Sequence, residues 1–225
     1  MWPAFNIIDL LIIIIPLLVA VTFHEVAHGY AALIMGDPTA KQAGRLSLNP
    51  VPHLDIFGSL ILPLILKLSG SPMIFGYAKP VPVNFANLRP LRAGTIAVSV
   101  AGVVTNFLLA VISAGVFRLM LATASFWQNG FWEPSFMVIS RLLIYSVIIN
   151  IVLACFNLIP IPPLDGGRIA TALLPAGMQR KFVKIEPLGM IILLVLLFTK
   201  SLDLLFSFFI TPLITLLLGV NLMPG

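Results

Sequence analysis

Residues 7–34 read IIDLLIIIIPLLVAVTFHEVAHGYAALI. The first two-thirds is an apolar run broken only by Asp9 and Pro16, and the last third carries His24, Glu25 and His28. Crossing a bilayer core as a helix takes about twenty apolar residues, and this stretch has the length. An ionisable side chain within such a helix costs about 2.5–3.5 kcal/mol on insertion scales, so three of them in five positions mark a site with a task.

The rest of the chain agrees with a membrane setting. Of 225 residues, 60% are apolar and 9% charged, too few charges to solvate a soluble globule of this size. The apolar residues come in long runs rather than alternating ten-residue segments, which points to helices and away from a transmembrane barrel. The single cysteine, Cys155, excludes an intramolecular disulfide and a Cys-based zinc cluster. No basic start or small-residue cleavage site precedes the first run, so no removable signal peptide is expected. A net charge of +5 reports topology here, and no nucleic-acid partner is expected.

Five or six apolar segments follow from the pattern: residues 7–34, 56–68, 93–121, 136–158, 187–199 and 204–219. The short 56–68 segment, with Pro63, reads as re-entrant or interfacial. With that assignment Lys41, Arg45, Lys67, Lys79, Arg89 and Arg92 share a side with Arg168, Arg180, Lys181 and Lys184. The 122–135 loop has no basic residue, so the positive-inside rule sets that side as cytoplasmic and the N-terminus outside. Residues 74–84, IFGYAKPVPVN, are β-branched and punctuated by Gly and Pro, and read as an edge ribbon. The expected fold is an all-α polytopic membrane protein, a bundle of about five to six transmembrane helices with a re-entrant segment and a small β-ribbon. It forms one domain over residues 1–225, with a catalytic core over about 7–175 and a C-terminal helical hairpin over about 186–220. Ala93, Ala97, Ala101 and Thr105 make a small-residue stripe suited to close helix packing. Asp9, Asp37 and Asp203 lie at segment ends, where the interface solvates them.

His24 and His28, four apart, stand one turn from each other on one helix face and can hold one ion. Glu25 flanks that stripe and can reach a water on the ion without ligating it. This is the H-E-x-x-H geometry of metallohydrolases, with Glu as general base. Three His and three Glu would produce the pattern by chance roughly 5 × 10⁻⁴ times in a chain of this composition. Zinc takes a third protein ligand and leaves a fourth position open. Two candidates remain: Asp165, in FNLIPIPPLDGG (156–167), where Gly166 and Gly167 let the backbone approach closely, and His53, in LNPVPHLD (48–55). Asn106, Asn150 and Asn157 are amides in or near spans, for which interhelical hydrogen bonding is the simplest role.

HEVAH in an apolar span, followed in order by GYAKPVPVN, AGVVTN and NLIPIPPLDGG, resembles the site-2 protease family of intramembrane zinc metalloproteases. The similarity covers roughly residues 22–167 and is closest to compact members that lack PDZ and CBS modules and carry the motif in the first span. It implies one zinc per chain, held by His24, His28 and Asp165, with Glu25 as catalytic base. It also implies that Asn106 and Asn157 contact the substrate backbone or the oxyanion. His53 is left as an extra ligand or a regulatory residue. Two departures stand out: Val103 replaces a family proline in AGVVTN, and residues 48–68 are inserted relative to the minimal core.

The expected activity is hydrolysis of peptide bonds of transmembrane protein substrates within or beside the bilayer, in a multi-pass cell-membrane protein. His24 lies about 15 Å from the cytoplasmic end of its helix, so water enters from the basic side. Two alternatives compete. A divalent-metal transporter needs polar groups strung along a path and helices that are repeated or broken, and no repeat is visible. An inactive homologue that binds membrane helices has no use for a buried Glu25.

Overall fold

The computed structural model describes residues 7–55, 58, 61, 65, 78–127, 130–184, 186–199 and 201–219. Among these the regular structure is helical and no β-strand occurs. Helix α1 spans Ile7–Ile34, α2 Leu91–Ala122 and α3 Glu133–Asn157. α4 spans Asp165–Leu173, α5 Ala176–Val183, α6 Glu186–Phe198 and α7 Thr211–Leu218, the last preceded by a π-helical turn over Phe206–Ile210. Helices α1, α2 and α3 are long and apolar enough to cross a membrane.

Of the proposed 56–68 segment only Gly58, Ile61 and Ile65 are described, and residues 74–77 of the ribbon lie outside the described residues. Residues 78–84 form an irregular strap without sheet pairing. Residue Lys200 also lies outside them, and the turn at Thr199, Ser201 and Leu202 separates α6 from the C-terminal segment.

Burial along α1 and α2 follows a four-residue step. On α1 the buried positions include Ile12, Pro16, Ala20, His24, His28 and Ala32, so the two histidines continue the packed stripe. On α2 they include Gly94, Val98, Gly102, Asn106, Ala110 and Ala114. The stripe read from the sequence is one residue out of phase: Ala93 is exposed and Ala97, Ala101 and Thr105 are only partly buried. Two glycines decide the register, because they permit closer approach than alanine. Helix α2 runs without interruption through Val103, where the family proline would remove a backbone donor. The remaining faces carry exposed Leu11, Ile13, Ile15 and Leu17 on α1 and Phe107, Leu108, Val111 and Ile112 on α2, as a lipid-facing surface should.

The chain forms two compact units, Met1–Ala20 with Val103–Gly225 and Val21–Gly102. In the first, Ala110, Ala114 and Phe117 of α2 pack with Val147 and Ile151 of α3 and with Ile210, Ile214 and Leu218. Helix α7 ends at Gly219, whose φ of 72° closes the helix in the left-handed conformation. Arg118 donates to the carbonyl of Leu216 there, satisfying one of the last-turn acceptors. Asp9 and Arg141 form an ion pair at 2.6 Å, joining α1 to α3. In the second unit, Ala32, Leu88 and Val98 form a small core. Asp37 is fully buried there rather than interfacial, and Asp203 is exposed as expected.

Candidate metal centre

The site begins with two rings on α1. His24 and His28 are 7% and 9% exposed, so both imidazoles lie within the protein. Their Nε2 atoms are 2.9 Å apart, and the rings meet edge to face at 89°. The Nδ1 of His28 donates to the backbone carbonyl of Val98 on α2 at 2.7 Å. That bond fixes the tautomer and leaves Nε2 as the lone-pair atom, the usual arrangement behind a metal-binding histidine. Zinc holds imidazole nitrogens at about 2.0–2.1 Å, which places two tetrahedral ligand atoms about 3.3 Å apart. The pair therefore needs to open by less than roughly half an ångström to fit the ion.

Gly102 makes this approach possible. A Cβ at that position would lie 2.6 Å from His28 Nε2 and 2.6 Å from the Cε1 atoms of both rings, inside any allowed contact. Gly102 sits in the AGVVTN motif, but spacing alone gave no reason to single it out. Only the packing of α2 against the pair reveals the need.

Glu25 is partly buried beside the pair, and its Oε2 accepts the backbone N–H of Val81 at 2.7 Å. The strap thus touches the residue read as general base. Asp37, just beyond the C-terminus of α1, anchors the same strap. Its Oδ1 accepts from Thr39 N–H, Thr39 Oγ1 and Asn87 Nδ2 at 3.2, 2.5 and 2.9 Å, and its Oδ2 from Asn84 N–H at 2.7 Å. Burial alone would push this carboxyl up, but the bonds from Thr39, Asn87 and Asn84 outweigh it and hold it below its ordinary value of 3.8.

His53 is 2% exposed and donates from Nε2 to the carbonyl of Ser47 at 2.8 Å, while its own carbonyl accepts Lys79 N–H at 2.9 Å. It thereby joins the inserted loop to the strap. Its backbone bond there is a role that the side-chain reading did not foresee.

Asp165, Asn106 and Asn157 belong to the other unit. Asp165 is the first residue of α4 and 8% exposed. The turn before it folds so tightly that Cβ atoms on Gly166 and Gly167 would lie 2.3 Å from the Leu158 carbonyl oxygen and 2.4 Å from Pro162 N. Both glycines are needed for close backbone approach, as their pairing in the sequence suggests. Asn106 is fully buried, and its Nδ2 donates to the Ala20 carbonyl at 3.1 Å and to Asn150 Oδ1 at 2.8 Å. Asn150 in turn donates to the Ser146 carbonyl at 2.9 Å, so the pair bonds α1, α2 and α3 together. Asn157 Nδ2 donates to Leu153 O at 3.0 Å within its own helix, using one of its two protons.

A helix that carries H-E-x-x-H with two paired, buried histidines, the tautomer of His28 fixed by Val98, within an apolar, membrane-crossing chain defines a membrane-embedded metallohydrolase. Comparison with known proteins gives the family. The profile of Peptidase family M50 matches residues 130–199. The chain is 39% identical over 187 residues to "Putative zinc metalloprotease YwhC" of Bacillus subtilis (strain 168), covering 83% of this chain and 80% of that protein. It is 28% identical over 186 residues to "Putative zinc metalloprotease Rip2" of Mycolicibacterium smegmatis (strain ATCC 700084 / mc(2)155), covering 83% of this chain and 66% of that protein. No solved structure matches the chain significantly. The chain belongs to peptidase family M50, the site-2 type of intramembrane zinc metalloprotease.

Proposed function

We propose that the protein cleaves transmembrane protein substrates within or next to the bilayer, with zinc held by His24, His28 and Asp165 and with Glu25 as general base. The observation that carries this reading is the His24–His28 pair, whose Nε2 atoms converge at 2.9 Å while Val98 fixes the tautomer of His28. Two imidazoles and one carboxylate are a donor set suited to catalytic zinc, which keeps a fourth position open. Asp165 enters by family motif and by its chemistry: a buried carboxylate at a helix start, in a Gly-Gly turn.

When bound, zinc supplies Lewis acidity toward water and the scissile carbonyl. Glu25 takes a proton from the attacking water and returns it to the leaving amine. Asn106 and Asn157 are proposed as contacts to the substrate backbone or the developing oxyanion: Asn157 retains one amide proton for that purpose, whereas Asn106 must first release one of its two bonds, to Ala20 or to Asn150. A helical substrate hides its carbonyls in i→i−4 bonds, so it must unwind before cleavage, and its extended segment is proposed to lie along the strap over residues 78–84. His53 stays a candidate for an added ligand or a regulatory residue.

The proposed setting is a multi-pass protein of the cell membrane with a non-cytoplasmic N-terminus and a site reached from the cytoplasmic side. A single protease domain over 1–225, with five to six crossings, a re-entrant 56–68 segment and a hairpin over 186–220, completes the picture. The test is cleavage of a co-expressed membrane substrate by wild type and Glu25→Gln. Zinc-containing Glu25→Gln protein without cleavage supports the mechanism, and full cleavage by that variant rejects it.

A further inference from the structure

The strap over residues 78–84, with the short turn that continues it to Arg89, is held to its own unit at each end and in the middle. Lys79 N–H donates to the His53 carbonyl at 2.9 Å, and Arg45 Nη2 donates to the Lys79 carbonyl at 3.0 Å. Asn84 N–H and Asn87 Nδ2 donate to Asp37, and Arg89 N–H to the Met35 carbonyl at 2.8 Å. Between these anchors stands Pro80-Val81-Pro82. Proline has no N–H, so Val81 carries the one backbone donor of this triplet, and that donor is on Glu25 Oε2. The Val81 side chain is buried, its Cγ1 3.0 Å from where a Cβ on Gly29 would stand. The packing therefore fixes the direction of the N–H as well as its presence.

Asp37 is the far anchor of this device. A carboxylate with no exposed surface is costly unless it is fully hydrogen-bonded, and Asp37 meets that condition by accepting from both sides. Thr39 holds it to the segment following α1, and Asn84 and Asn87 hold the strap. Its role reaches Glu25 through only the two residues between Asn84 and Val81.

We propose that Asp37 and the Val81 amide are positioning residues for proteolysis: Asp37 fixes the strap, and the Val81 N–H holds one oxygen of Glu25 so that the other serves proton transfer. This rests on the protease reading above. A base held in one rotamer at the reacting atoms loses less rate to misplacement than a mobile one.

The experiment compares wild type with Val81→Pro, which deletes that donor together with the packed Val81 side chain, with Asp37→Asn and Asp37→Ala, which leave Val81 intact, and with Lys79→Ala, which changes an exposed side chain and keeps every backbone bond. Zinc content, kcat and KM on one membrane substrate, and hydrogen exchange of the 79–84 amides are measured in detergent. The expected result for Val81→Pro is one zinc per chain, KM within about twofold and kcat lower by on the order of tenfold. Asp37→Asn and Asp37→Ala should retain zinc and lose kcat in the same sense, with 79–84 exchange at least severalfold faster, while Lys79→Ala matches wild type. Asp37→Asn is nearly isosteric, so it keeps the test decisive should Val81→Pro not fold. Unchanged kcat in folded, zinc-loaded Asp37 variants overturns the proposal, as does a loss that falls on zinc content or KM. A wild type without Glu25-dependent cleavage rejects the protease reading and this proposal with it; a cleaving wild type matched by the variants rejects this proposal alone.

Discussion

The Nδ1 of His28 donates to the carbonyl of Val98 at 2.7 Å, tying the H-E-x-x-H helix to α2 where Gly102 passes the same ring. A backbone acceptor cannot be lost by substitution, but it can be displaced by pushing α2 away. The candidate metal site therefore depends on a residue with no side chain.

Gly102→Ala should weaken zinc binding by on the order of 10–100-fold, the usual cost of disturbing the partners of metal-bound histidines. The added methyl falls 2.6 Å from both rings and can be relieved only by moving helix or ligands. Gly115→Ala, on the same helix with nothing within 4 Å of its Cβ, should bind zinc as wild type does. Titration against a chromophoric chelator reads both, and equal affinity in all three proteins would contradict the packing argument.

Asn150→Ala should destabilise the protein by about 1–3 kcal/mol, because it leaves one Asn106 proton without an acceptor in a fully buried place. Asn106→Ala should cost a similar amount, and the double variant less than the sum. Thermal midpoints in detergent give the cycle, and strict additivity would show that the two amides do not act as a pair.

Acid should loosen the strap through Asp37. Its folded carboxyl lies below the ordinary value of 3.8, so its contribution is fully present above that value and is lost as pH falls through the lower folded one. The donors around it, from Thr39, Asn84 and Asn87, are uncharged and keep their form over that range. Exchange of the 79–84 amides should accelerate in wild type below about pH 4 beyond the intrinsic rate change, and Asp37→Asn should lack that acid-dependent step. The same step in both proteins would assign it to another group.

The candidate site was legible in the sequence where its logic is local. His24, Glu25 and His28 are joined by the helical period itself, and the Gly-Gly pair after Asp165 announces a tight turn. What escaped is non-local. Glu25 meets Val81 56 residues away, and Asp37 meets Asn84 and Asn87 at separations of 47 and 50. Asp37 therefore looked like a solvated helix end when it is a buried clamp. The α2 stripe slipped by one residue because alanine and glycine both count as small in a pattern, while only a glycine clears the imidazoles at position 102. Asn106 reads as a polar residue in a span either way, and its bond to Asn150 was foreseeable only as a class of contact.

The most direct test of the central claim is the zinc content of purified wild type, Asp165→Ala and His53→Ala in detergent. The account predicts about one zinc per chain in wild type and in His53→Ala, and its loss in Asp165→Ala, consistent with three protein ligands and an open fourth position. Zinc retained by Asp165→Ala and lost from His53→Ala would contradict it and move the third ligand into the inserted loop.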